Sequence, residues 1–276
     1  MLGVPKSAKP TLITRLAGMP MVHRAIRTLR VQQVAEKALG TVPLKRKLGG
    51  SGLEYRVRFL ESLVMADEIF SREVYREAFV GRDVHTFIDL GSNVGYFTVY
   101  AAHHTRNRDL IGLAVDANER CTAETRWHVE SNALRNTKVM TGVAGYPPGV
   151  ETATFFVNAS NVASSAQPVL NPNIPAKGDS RPVTVPAIDV AREWKKKAGD
   201  ARVDLLKVDV EGFECDLVRN SGDLLAITDR IVIEWHKWVS SLGQLEDLLL
   251  PRGFVRRSII SEDPHCGVAI YDRTPS

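Results

Sequence analysis

Apolar residues fall along this chain in two rhythms. Short apolar runs at residues 87–90, 110–115, 138–144, 203–208 and 230–235 have the length and the Val, Ile and Leu content of strands buried on both faces. Between them, residues 94–104, 120–133, 188–197 and 213–220 carry the spacing of helices. The alternation is β-α-β-α-β, the signature of a mostly parallel sheet with helices packed on it. Residues 152–157 read as a further strand. Residues 158–186 turn polar, and Pro168, Pro172, Pro175, Pro182 and Pro186 break any long element there. A loop of that length inside a compact domain is expected to be a lid or binding loop.

The first fifty residues have another character. From residue 11 to 39, Leu12, Leu16, Met19, Val22, Ile26, Leu29 and Val34 recur at near-helical spacing with arginines between them. One or two basic amphipathic helices are expected, able to lie on a membrane surface or to dock on a protein. Residues 1–50 hold ten Lys or Arg against the single acid Glu36, so the +4 net charge conceals about −5 over the remainder (26 basic, 31 acidic). Residues 45–52, basic and glycine-rich, read as a joint. The expected domains are therefore a basic helical extension at 1–50 and a catalytic domain at 51–276, in which residues 53–79 read as helical. No long apolar run or apolar leader is evident, and Cys121, Cys215 and Cys266 form no C-x-x-C pair. A reducing cytoplasm is the expected setting.

Chemistry concentrates where strands end. The first run leads into Asp89-Leu90-Gly91-Ser92-Asn93-Val94-Gly95-Tyr96, a strand, a tight turn and a helix start. Such a turn lets a ligand press against the backbone, and the first free N–H groups of the helix point at it. A dinucleotide site would need a second glycine where Asn93 stands. Asp116 closes the second run, about 20 residues on, where an acid accepts hydrogen bonds from ribose hydroxyls or else caps the next helix. The fourth run continues as Lys207-Val208-Asp209-Val210-Glu211-Gly212, and alternation puts Lys207, Asp209 and Glu211 on one side. Buried charges need partners, so these groups either satisfy one another or line a cavity at the carboxyl edge of the sheet. Glu234 and His236 end the next strand at the same edge. His236 reads equally as a catalytic group and as a satisfied strand-end histidine.

Residues 87–98, the string Leu206-Lys207-Val208-Asp209-Val210-Glu211-Gly212-Phe213-Glu214 and Ile233-Glu234-Trp235-His236 together resemble the FkbM family of S-adenosylmethionine-dependent methyltransferases. The likeness spans about residues 86–260. It departs at Val115-Asp116-Ala117-Asn118, where members commonly show Phe-Glu-Pro-Asn. The resemblance implies an α/β, Rossmann-like class I fold whose seven-stranded, mostly parallel sheet has an antiparallel last strand, with residues 256–259 and 268–271 supplying the final strands. S-adenosylmethionine is the implied cofactor, held by Asp89, Gly91, Ser92, Asn93, Gly95, Tyr96, Asp116, Asn118 and Asp209. An O-methylation of a sugar or secondary-metabolite hydroxyl is the implied reaction, with small molecules or glycans as partners.

An alcohol acceptor needs a base. His236, Asp209 and Glu211 are the candidates by position, with Lys207 as an orienting or charge-balancing partner. Asp209, Glu211 and Glu234 offer the hard oxygens a divalent cation prefers, yet they show no recognisable ligand spacing, and no metal is expected. Methylation of an amine in nucleic acid or protein is the rival reaction. It is disfavoured because Asp209-Val210-Glu211-Gly212 stands where many such enzymes carry Asn-Pro-Pro-aromatic. A non-catalytic cofactor-fold module that binds a partner is a third reading.

Overall fold

A computed structural model of the protein describes residues 37–157 and 181–275. Most of the expected basic helices at 11–39, and most of the long polar loop, lie outside the described residues. No helix among the described residues is long and apolar enough to cross a membrane.

After helical residues 37–41, the chain forms an antiparallel hairpin of β1 (Leu44–Lys47) and β2 (Glu54–Val57). This corrects both the expected joint at 45–52 and the helical reading from residue 53. Burial alternates along β2, with Tyr55 and Val57 inward and Glu54 and Arg56 outward, a period-two pattern too short to stand out from the helical residues after it. Helix α1 (Ser62–Ala66) runs into a π-type turn at Asp67–Ser71 and a 3-10 turn at Arg76–Phe79.

The main sheet begins with β3 (Thr86–Leu90), in which every residue is buried, and α2 (Tyr96–Thr105). There follow β4 (Ile111–Asp116), α3 (Glu119–Ser131) and β5 (Thr137–Thr141). Strands β6 (Thr152–Val157) and β7 (Arg181–Pro186) form a separate hairpin. The chain returns through α4 (Val190–Ala198) to β8 (Leu205–Val208), then α5 (Glu214–Asn220), α6 (Gly222–Ala226) and β9 (Arg230–His236). Helix α7 (Leu242–Leu249), β10 (Phe254–Glu262) and β11 (Cys266–Arg273) complete it.

The strand order is β10-β11-β9-β8-β3-β4-β5. Neighbours from β9 to β5 pair in parallel, and β11 runs antiparallel between β9 and β10. This is the seven-stranded sheet with an antiparallel last strand. From β3 the chain steps outward to β4 and β5, then returns to β8 on the other side. That reversal opens a crevice beyond the carboxyl ends of β3 and β8, where open α/β sheets bind ligands.

Two apolar layers cover the sheet. One contains the buried face of α2 with Tyr55, Phe70, Tyr75 and Phe79; the other contains Trp194, Leu217, Leu225 and Leu245 from the helices on the opposite face. The β1–β2 hairpin is held by α3 across the free edge of β2. Glu124, His128 and Asn132, four residues apart, face it as one row. Asn132 exchanges two 2.7 Å bonds with the Glu54 backbone, His128 Nε2 accepts from Arg56 N at 2.9 Å, and Glu124 takes the Arg56 guanidinium bidentately. These side chains supply bonds that a neighbouring strand would otherwise make.

Candidate active site

The crevice is built on the turn after β3. Gly91 has φ +71°, and a Cβ there would lie 1.6 Å from the carbonyl oxygen of Asp209. Only glycine lets the chains leaving β3 and β8 pass so closely. The turn is pinned by Gly91 N and Ser92 N, which donate to Val115 O at 2.9 and 3.0 Å, and by Asp209 N, which donates to Leu90 O. Gly95, at φ +83°, packs on Thr125 of α3 and precedes the first turn of α2.

Asp116, at the end of β4, lines the cleft. Its Oδ2 accepts from Asn93 N and its Oδ1 from Asn118 N, both at 2.8 Å. Burial pushes its carboxyl up to about 6, against the pull of those two N–H groups. The helix cap is Asn118, whose Oδ1 accepts from Arg120 N. Val143, Ala144, Phe155 and Phe213 give the cleft an apolar side, with Phe213 stacked on Tyr146 at 5.0 Å. The cleft holds about 640 Å³ of empty space, counted to its open mouth. Phe155 carried no motif, and Phe213 stood in the charged string without a role; only their apolar character near strand ends could have pointed to them.

Two of the expected cofactor contacts are placed elsewhere. Tyr96 is buried among Tyr55, Phe70 and His128, and its hydroxyl donates to Arg56 O at 2.9 Å, so its side chain faces the hairpin and not the cleft. It turns that way because it begins a helix whose first seven residues are all buried. Asp89 is wholly buried behind the turn, where Thr98 donates to its Oδ2 at 2.9 Å and Lys207 Nζ stands 3.4 Å from Oδ1. Burial raises its pKa, partly offset by Lys207.

Lys207 is the hub between the two walls. Its Nζ donates to Gly91 O at 2.7 Å and lies 3.3 Å from Asp209 Oδ2. Desolvation lowers its pKa, but Asp209, Asp89 and Glu234 outweigh that, and the net direction is upward, so it stays an ammonium. Strand β8 ends at Val208, and Asp209 and Glu211 lie beyond it. The simple alternation expected here is therefore corrected. Glu211 reaches the same edge through a turn in which it takes φ +49° and Gly212 φ +93°.

His236, 4% exposed, faces carboxylates on both sides. Its Nδ1 is 2.8 Å from Oε1 of the wholly buried Glu214, while Nε2 looks toward Glu211 Oε2 at 3.4 Å and Glu234 Oε1 at 3.9 Å. A carboxylate only accepts, so Nδ1 carries the proton. Burial works against a charged ring, but Glu214, Glu211 and Asp209 push its pKa up to about 10. Glu234 is pushed up to about 7, by burial first and then by Asp209. The structure thus brings Lys207, Asp209, Glu211 and His236 to one edge. Glu214 is the member of this group to which sequence reasoning gave no role; it sits three residues past Glu211, where a helix returns it beneath the strand end.

Residues 89–256 match the model of the methyltransferase FkbM domain. No curated protein matches the chain by sequence. Among solved structures, the chain is similar to M. jannaschii TYW2 in complex with AdoMet, at 14% identity and TM-score 0.43, over 84% of this chain and 87% of that one. It is also similar to a SAM-dependent methyltransferase from Aquifex aeolicus, at 12% identity and TM-score 0.44, over 76% and 94%. A third is M. capricolum TrmK with S-adenosyl-homocysteine, at 11% identity and TM-score 0.44, over 73% and 68%. The family rests on the sequence match and not on these likenesses. With the glycine turn, the charged string and the paired strand ends all inside the matched span, the chain belongs to the FkbM family of S-adenosylmethionine-dependent methyltransferases.

Proposed function

We propose that the protein methylates a hydroxyl group of a sugar or secondary metabolite. Four observations support a fit to S-adenosylmethionine. The close approach at Gly91 leaves bare backbone beside the cleft, where a side chain would have no room. Asp116 presents a carboxylate at the end of β4, in reach of ribose hydroxyls, and the apolar side of Val143, Ala144, Phe155 and Phe213 suits a purine. Ser92 Oγ is buried with no hydrogen-bond partner among the described residues, as a group awaiting a ligand would be. When bound, the cofactor supplies a methyl group already activated by its sulfonium.

The protein's own task is then to align the acceptor and take its proton. Glu211 carries this reading. Glu211 lines the cleft, and burial raises the pKa of its carboxyl, which strengthens it as a proton acceptor, while both nitrogens of His236 are turned to carboxylates. Glu211 takes the proton, and Lys207 balances the charge of Asp209 and Asp89. An amine would reach the site as a cation, and the surrounding acids would hold it in its protonated, non-nucleophilic form. The described cysteines are all free, which suits a cytoplasmic enzyme. Residues 11–39 would add a contact with a membrane surface or a partner protein.

The test is methyl transfer to a panel of alcohols and amines with labelled cofactor. Glu211→Gln should lower kcat by about 10²- to 10⁴-fold, the usual worth of a positioned base. Affinity for S-adenosylhomocysteine should stay unchanged. An undiminished kcat would remove Glu211 from the reaction, and turnover of amines alone would remove the O-methyl reading.

A further inference from the structure

Beside the cofactor cleft, the edge formed by β8 and β9 holds more acid than its bases can balance. Among the described residues, Asp89, Asp209, Glu211, Glu214 and Glu234 surround two bases, Lys207 and His236. Lys207 is held on the glycine turn, with its Nζ on Gly91 O and shared between Asp89 and Asp209. With Glu214 on its Nδ1, His236 turns its Nε2 to Glu211 and Glu234. Its Nε2 has carboxylate oxygens at 3.4 and 3.9 Å, beyond the usual 2.7–3.2 Å of an N–H···O bond. A ring that is nine-tenths buried and held rigidly through its other nitrogen is thus aimed at oxygens it does not bond well.

One donor atom each from Asp209, Glu234 and His236 lies within 4.8 Å of the others. Donors on opposite sides of an ion with bonds of about 2.3–2.6 Å stand about 5 Å apart, and a smaller ion needs only a slight closure of these side chains. Glu214 completes the arrangement from behind. It is wholly buried, accepts from His236 Nδ1 and also accepts from Gly212 N at 2.9 Å, so its position is fixed by the backbone. A carboxylate on one imidazole nitrogen with the other turned to a pair of acids is how metal-bound histidines are oriented.

We propose that Asp209, Glu234 and His236 bind a divalent cation, with Glu214 positioning His236. The inference rests on the methyltransferase reading, because the ion would face the acceptor side of the cleft. Two carboxylates and one imidazole suit a cation of intermediate hardness such as Mn²⁺. The ion takes the place of the Nε2 proton and leaves coordination positions open toward the cleft. An acceptor oxygen bound there would be held in register and made more acidic. Acceptors with two neighbouring oxygens, which chelate, would be favoured over isolated hydroxyls. Sequence reasoning grouped Asp209 and Glu234 with Glu211; the pairing of the two strand ends across the sheet brings His236 to them instead.

The experiment uses the full chain, freed of metal by chelation and dialysis. S-adenosylhomocysteine is titrated calorimetrically in the absence of metal, and Mn²⁺ uptake is followed separately by loss of the free-ion electron paramagnetic resonance signal. Wild type should take up one Mn²⁺ per chain. Glu234→Gln should weaken uptake at least tenfold, and Glu214→Gln by about 10- to 100-fold, as loss of an outer-shell partner does. Both variants should still bind S-adenosylhomocysteine, which shows that they fold. Cofactor binding with no Mn²⁺ uptake at millimolar concentration, or equal uptake by wild type and Glu234→Gln, overturns the metal site alone. Failure of wild type to bind S-adenosylhomocysteine would overturn the methyltransferase reading instead.

Discussion

Acid should unfasten the N-terminal hairpin from the cofactor turn through one residue, His128. This ring is wholly buried, its Nδ1 donates to Val94 O in the glycine turn at 2.8 Å, and its Nε2 accepts from Arg56 N in β2 at 2.9 Å. Both nitrogens are satisfied only in the neutral ring, because a proton on Nε2 would face the Arg56 N–H. Burial pulls the His128 pKa down from 6.5 to about 4. A folded value below the unfolded one means that the unfolded chain binds more protons in between. The stabilisation is therefore complete above about pH 6.5 and is lost as the pH falls toward 4. At 1.36 kcal/mol for each tenfold change, the full loss is about 3 kcal/mol, and at pH 5 it has reached about 2 kcal/mol. Urea unfolding of wild type and His128→Gln at pH 7.5 and pH 5 isolates this term, since other titrating groups are common to both proteins. Wild type should lose about 2 kcal/mol more than the variant over that interval. Equal losses, or an imidazole that titrates near 6.5 by NMR, would refute the reasoning.

Gly91→Ala should abolish binding of S-adenosylhomocysteine, because the left-handed backbone costs a side chain about 1–2 kcal/mol and the new Cβ would overlap the Asp209 carbonyl. Calorimetry showing ordinary affinity would mean that the turn does not carry the cofactor. Far from the cleft, Arg230 is 2% exposed, grips Asp272 with two hydrogen bonds of 2.6 and 2.9 Å, and caps the carbonyls of Ala78 and Val80. Arg230→Met strands all three partners and should cost about 3 kcal/mol in urea unfolding; a cost under about 1 kcal/mol would show that Arg82 and Arg257, both near Asp272, suffice.

What the chain announces locally, it keeps. The runs that became β3, β4, β8 and β9 are legible because a strand covered on both faces must be mostly apolar, and the glycine turn is legible because only Gly91 tolerates that crossing. Asp116 and the Lys207 to Glu211 string were placed at strand ends by spacing alone. The β1–β2 hairpin escaped notice because its strands are four residues each and its outer edge is completed by side chains of α3, some seventy residues away. Tyr96 sits in the motif but turns to the core, a direction set by what α2 packs against. The pairing of His236 with Glu214, and its approach to Asp209 and Glu234, belongs to tertiary structure entirely. Strands β8 and β9 are neighbours only through hydrogen bonds across the sheet, so the charge balance at their ends, and with it the chemistry of this edge, was decided by folding.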